Sequence, residues 1–241
     1  MRVLLTGIDG YIGAVLGPKL VERGFNVVGI DCGFYRDGWL YNNRLPRPLT
    51  LSKDVRKITA KDVEGFEAVI HLAELSNDPL GALSERTTYE INHLGSITLA
   101  RACKEAGVPR FVYTSSCSVY GAAEDGGERD ERSAPNPQTA YAKCKVLVER
   151  DVGALADAHF SPVFLRNATA FGASPRMRFD IVLNNLAGLA WTIKEIRMTS
   201  DGTPWRPLVH VEDICQAIIL ALAAPREAVH NEIFNVCLLY T

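Results

Sequence analysis

The sequence predicts an α/β fold, a Rossmann-type doubly wound parallel sheet with helices on both faces, and two observations carry that expectation. Residues 2–6, 26–31, 68–73, 110–115 and 162–166 are short runs, apolar on both faces, as strands inside a covered parallel sheet must be. Between them, helical patterns run over 11–23, 87–106 and 138–158. Strands alternating with helices imply right-handed βαβ crossovers.

The first strand runs into Gly7-Ile8-Asp9-Gly10-Tyr11-Ile12-Gly13, a G-x-x-G-x-x-G turn that opens the first helix. Glycines there allow a tight turn and let backbone N–H groups approach a pyrophosphate at the helix N-terminus. Pro18 falls inside that helix and is expected to kink it or cost about 3 kcal/mol. Asp31 closes the second strand, where a carboxylate can bond both ribose hydroxyls of a dinucleotide. It would repel the extra phosphate of NADP, and no Arg or Lys follows until Arg36, so NAD is the expected cofactor. Asp54 and Val55, at the end of a third strand, are candidates for the adenine. Residues 32–49 form a long aromatic loop, and such loops are often functional.

The helix over 138–158 opens on Tyr141-Ala142-Lys143-Cys144-Lys145, with Tyr141 and Lys145 on one face. A phenol of reference pKa about 10 needs help to act as a base near neutral pH. A nearby ammonium and an oxidised nicotinamide both favour the phenolate. The preceding strand ends in Thr114-Ser115-Ser116-Cys117-Ser118-Val119-Tyr120-Gly121, so a Ser hydroxyl at its C-terminal edge can bond the same reacting oxygen. A loop over 120–137, acidic and rich in Gly and Pro, lies between the two.

These motifs, with IHLA, INHLGS, RPLVHVEDI and EIFNV, span nearly the whole chain. The chain resembles an extended short-chain dehydrogenase/reductase of the NAD-dependent epimerase/dehydratase family, whose members act on nucleotide sugars. The resemblance implies Ser116, Tyr141, Lys145 and Asn92 as the catalytic set, with Asn92 organising the site and its waters. It implies a cofactor site of Gly7, Gly10, Tyr11, Ile12, Gly13, Asp31, Asp54, Val55, Leu72, Ala73, Tyr141 and Lys145. On the substrate side it implies Ser116, Asn167, Asn184 and Arg206, the last for a diphosphate.

Family members that eliminate water or carbon dioxide carry an acid just before the Val-Tyr-Gly run. Cys117 and Ser118 stand there instead, which points to a 4-epimerase working by transient hydride transfer to NAD. A dehydratase, an NAD-dependent dehydrogenase or ketoreductase, and a non-catalytic dinucleotide-binding protein are the alternatives. Glu74 departs from the family pattern, which has a small residue beside the cofactor; its carboxylate is expected to crowd the cofactor or reach toward solvent. The helices over 87–106 and 138–158 resemble those that pair in family homodimers.

The chain has 241 residues, 47% hydrophobic and 22% charged, with net charge -2, which gives no reason to expect nucleic acid or membrane as a partner. Its six cysteines form no C-x-x-C pair, and His71, His93 and His210 show no ligand spacing, so no metal is expected. No signal peptide or spanning stretch is read, so a cytoplasmic location is expected. An NAD-binding domain is expected over 1–165 and a partial substrate-binding region with late sheet elements over 166–241. The run after EIFNV reads as a C-terminal truncation.

Overall fold

The computed structural model describes residues 1–42, 45–76, 81, 83–122, 127–198, 200–203 and 206–238. Seven strands form one parallel sheet: β1 (Arg2–Thr6), β2 (Asn26–Asp31), β3 (Leu49–Ser52), β4 (Ala68–His71), β5 (Arg110–Ser116), β6 (Ser161–Asn167) and β9 (Ile233–Val236). Their order is β3-β2-β1-β4-β5-β6-β9. A second, two-stranded sheet pairs β7 (Thr169–Phe171) with β8 (Leu208–His210). The order reverses between β1 and β4, which opens a crevice at the C-terminal ends of those strands. Dinucleotides bind at such a switch point.

The helices are α1 (Gly13–Glu22), α2 (Ala60–Val63), α3 (Glu85–Thr88), α4 (Ser96–Glu105), α5 (Ala140–Gly153), α6 (Val182–Thr192), α7 (Val211–Ala223) and α8 (Arg226–Val229). Successive strand side chains alternate between the faces. Leu5, Ile70 and Val112 therefore pack on one side with Leu16 of α1 and Ile214 and Ile218 of α7. Their neighbours Leu4, Val69 and Phe111 pack on the other side with Leu99 of α4 and Val148 of α5. Each large side chain buried this way contributes about 1.5–3 kcal/mol, which is why the strands read as unbroken apolar runs.

Several boundaries differ from the sequence expectation for identifiable reasons. β4 ends at His71, because the Leu72 and Ala73 amides turn to the Thr6 hydroxyl, each at 3.3 Å. β3 ends at Ser52, so Asp54 lies beyond the strand and caps the short turn Val55–Lys57. α1 runs through a buried Pro18 to Glu22. The helix expected over 87–106 is interrupted by a π-helical turn, Tyr89–Gly95, between α3 and α4. Such wide turns gather at functional sites, and this one carries Asn92.

Candidate active site

The glycine loop folds tightly against β4. A Cβ on Gly13 would sit 2.2 Å from the Gly7 carbonyl oxygen, and one on Gly7, where φ is +74°, would sit 2.7 Å from the Ala73 nitrogen. Gly10 differs, since a Cβ there would meet only the Gly7 oxygen at 3.2 Å and otherwise point into open space. No side chain caps the N-terminus of α1. Together these leave an open cradle with helix N–H groups facing it, which fits a pyrophosphate.

Asp31 is 7% exposed, and its two oxygens accept from the Gly33 amide at 2.8 Å and the Asp9 amide at 3.1 Å. Burial pushes its carboxyl above the usual carboxylate value while those two amides oppose the shift. Each oxygen keeps a lone pair, so the carboxylate fits a ribose diol. Asp54, by contrast, spends its carboxylate on Arg56 at 2.5–3.1 Å, and Val55 is buried under the π turn.

Sequence reasoning missed Asp9, a fully buried loop residue. Its carboxylate pairs with Arg36 at 3.0 Å and Arg47 at 3.2 Å, while its carbonyl accepts from Trp39. The Arg47 guanidinium stacks 3.7 Å from the Trp39 ring centre. The long aromatic loop is thereby tied to the cofactor loop, and Arg36 is held by Asp9 beside Asp31. An Asp inside a glycine turn, with Arg36 and Arg47 in the loop that follows the second strand, was the available signal.

Ser116 ends β5 and Tyr141 and Lys145 lie on the first turns of α5, which Thr139 caps through the Ala142 amide. Ser116 lies near the Tyr141 hydroxyl and favours its phenolate. The Lys145 ammonium stands 5.2 Å from the Tyr141 ring centre and donates to the Thr114 carbonyl at 2.5 Å. Burial pushes the Tyr141 phenol up, and Lys145 and Ser116 pull it down. Glu74 neither crowds the glycine loop nor reaches solvent. Its side chain is 3% exposed and turns inward, 2.6 Å from Lys145 Nζ, with the Tyr113 hydroxyl donating to its other oxygen at 2.6 Å.

Asn92 is buried and fully committed. Its Oδ1 accepts from the Leu75 amide and its Nδ2 donates to the Leu75 carbonyl, both at 2.8 Å. It therefore fixes the loop after β4. Asn184 is committed too, accepting from the Gly172 amide and donating to the Arg178 carbonyl and the Tyr11 hydroxyl. Tyr11 donates in turn to the Gly172 carbonyl at 2.7 Å, so this pair braces the segment before α6.

The sheet register sets Asn167 directly beside Ser116. Among the described residues, the buried side-chain oxygens with neither a hydrogen-bond partner nor an ion pair are Ser118 Oγ and Asn167 Oδ1. Ser118 follows β5 and Asn167 ends β6, at the same edge of the sheet. Buried polar atoms are normally paired, so orphans gathered at one edge mark a place where a polar ligand belongs. Arg206 is exposed. Burial pushes the Cys117 thiol up to about 11 and Arg206 pulls against it, which puts the guanidinium within electrostatic reach of the same edge. Among the described residues no cluster of His, Cys, Asp or Glu could hold a metal ion, and no helix is long and apolar enough to cross a membrane.

Solved structures with this architecture include MoeE5 in complex with UDP-glucose and NAD, 31% identical, with a TM-score of 0.83 over 98% of this chain and 76% of that one. TunA, an NAD-dependent NDP-hexosamine 5,6-dehydratase, is 25% identical with a TM-score of 0.85 over 99% and 76%. Among curated proteins, the UDP-glucose 4-epimerase of Neisseria gonorrhoeae is 27% identical over 98% of this chain and 77% of its own length. The profile of the NAD dependent epimerase/dehydratase family matches residues 3–237, and the chain belongs to that family.

Proposed function

We propose that the chain is an NAD-dependent nucleotide-sugar epimerase in which Tyr141 is the acid/base, Lys145 its electrostatic partner and Ser116 the second hydrogen-bond donor to the reacting oxygen. The observation that carries the reading is the Ser116–Tyr141–Lys145 arrangement at the sheet edge where Ser118 and Asn167 hold unpaired oxygens. The relatives with UDP-glucose or UDP-glucose 4-epimerase in their descriptions make UDP-sugars the substrates to try first.

The cofactor is NAD, which when bound would supply the hydride acceptor and donor for the sugar carbon. This chain's residues do the rest. Ser116 orients the substrate hydroxyl, and Tyr141 as phenolate takes its proton and later gives it back. Lys145 stabilises the phenolate that burial alone would disfavour. Gly10 and the α1 N-terminus hold the pyrophosphate, and Asp31 the adenosine ribose. Arg206 serves the substrate diphosphate, with residues 166–241 supplying that side of the cleft.

Elimination would need another acid near the sugar. Cys117 and Ser118 occupy the positions before Val119, and neither is a general acid at neutral pH, which favours epimerisation. Tyr141→Phe tests the assignment: turnover of UDP-glucose is expected to fall by a factor on the order of 10²–10⁴ with NAD retained. Undiminished turnover would remove Tyr141 from the role. A homodimer through α3–α4 and α5 is proposed alongside, and light scattering of the purified protein decides it.

A further inference from the structure

Glu74 brings a carboxylate into the catalytic centre that the proposed reaction does not use. It lies on the segment after β4, its side chain 3% exposed, beneath a lysine whose own side chain is 4% exposed. The Tyr113 hydroxyl fixes Oε1 at 2.6 Å, and Oε2 stands 2.6 Å from Lys145 Nζ. An ammonium has three N–H donors. One of these goes to the Thr114 carbonyl, and Glu74 sits against the ammonium as well. Nζ also lies 4.6 Å from the Tyr113 ring centre, so the lysine is enclosed by β4, β5 and its own helix.

We propose, building on the epimerase reading, that Glu74 is a positioning residue that clamps Lys145 against β5 and withholds part of its positive charge from Tyr141. A carboxylate and an ammonium in contact act at a distance as a dipole, whose field at the phenol is weaker than that of the ammonium alone. Burial by itself opposes the Lys145 charge, yet Glu74 and Tyr141 outweigh it and hold the ammonium above the usual lysine value. At Tyr141 the largest influence is burial, which raises it. Lys145 then lowers it and Glu74 raises it again.

The other groups around the pair are accounted for. Ser116 at the end of β5 and Arg178 ahead of α6 both favour the phenolate. Glu149, one turn along α5, faces Lys145 and is itself paired with Arg166. His71 on β4 is neutral, and burial pushes the Cys144 thiol up to about 12. Glu74 is thus the acidic group that touches the ammonium directly.

The test is the ultraviolet titration of tyrosinate in the intact protein, with NAD present and absent, using Tyr141→Phe to identify the Tyr141 step. In Glu74→Gln, which keeps the shape and the Tyr113 contact, that step is expected about one pH unit lower. Glu74→Ala, which restores the small side chain of the family pattern, is expected to move it the same way. The acidic limb of the turnover profile with UDP-glucose should shift in parallel. A Tyr141 step unmoved in both folded variants overturns the clamp. A step that moves in a protein that turns over no sugar nucleotide upholds the clamp and removes the proposed reaction. Turnover with an unmoved step does the reverse.

Discussion

His71 Nε2 lies 2.8 Å from Ser96 Oγ, and the Ser96 hydroxyl is already spent on the Asn92 carbonyl. Ser96 must therefore accept, so Nε2 carries the proton and Nδ1 accepts from the Thr6 hydroxyl at 2.7 Å. That hydroxyl oxygen in turn receives the Leu72 and Ala73 amides. One neutral imidazole thus links the end of β1, the cofactor-side segment after β4 and the wide turn bearing Asn92.

This linkage has a pH signature. Burial, with Lys145 adding to it, lowers His71 from the usual 6.5 to about 3. The unfolded chain binds the proton first, so the contribution is complete above about pH 6.5 and lost as pH falls toward 3. The loss is about 1.4 kcal/mol per unit, on the order of 5 kcal/mol across the window. Urea unfolding from pH 7 downward should show a shallower acid slope in His71→Asn than in the parent chain. Equal slopes would contradict the neutral assignment.

Glu149 and Arg166 form a buried bidentate pair at 2.7 and 3.0 Å, joined by the Ser115 hydroxyl and by Tyr120, which donates onward to Asn235 of β9. Glu149→Ala leaves Arg166 charged and unpaired in the core and should cost about 3–5 kcal/mol in chemical denaturation. Replacing both partners with Met should recover much of that loss. A single variant as stable as the parent would show the pair to be solvated.

The glycine loop separates folding from binding. Gly13→Ala forces a Cβ to 2.2 Å from backbone and should lower thermal stability as well as NAD retention. Gly10→Ala has open space above it and should unfold near the parent temperature while losing NAD. Thermal melts with chromatography of released dinucleotide distinguish the two; equal behaviour would argue against the cradle.

Asp31 should govern the choice of dinucleotide. Asp31→Asn removes the charge that repels a 2′-phosphate, and Arg36 already lies close by, engaged by Asp9. The variant should bind NAD more weakly and narrow the preference over NADP about tenfold, measured by calorimetry. An unchanged preference would move the discrimination elsewhere.

The parallel sheet was legible because consecutive strand residues such as Leu4 and Leu5 go to opposite, equally buried faces. The placement of Tyr141 and Lys145 on one helix and of Ser116 at a strand end was legible because spacing and strand position survive folding. The contacts of Asn92, Asn184 and Glu74 were not. Their partners include Leu75, Tyr11 and Lys145, which no local pattern announces. Asp9 was hidden for the same reason, its arginines arriving from a loop with no regular period.

The most direct test of the central claim is to incubate the purified protein with UDP-glucose and NAD and follow the sugar by proton NMR, with absorbance for reduced cofactor. Conversion to the 4-epimer with no net NADH is the expected result. Stoichiometric NADH with an oxidised sugar, or a dehydrated keto sugar, would contradict epimerisation.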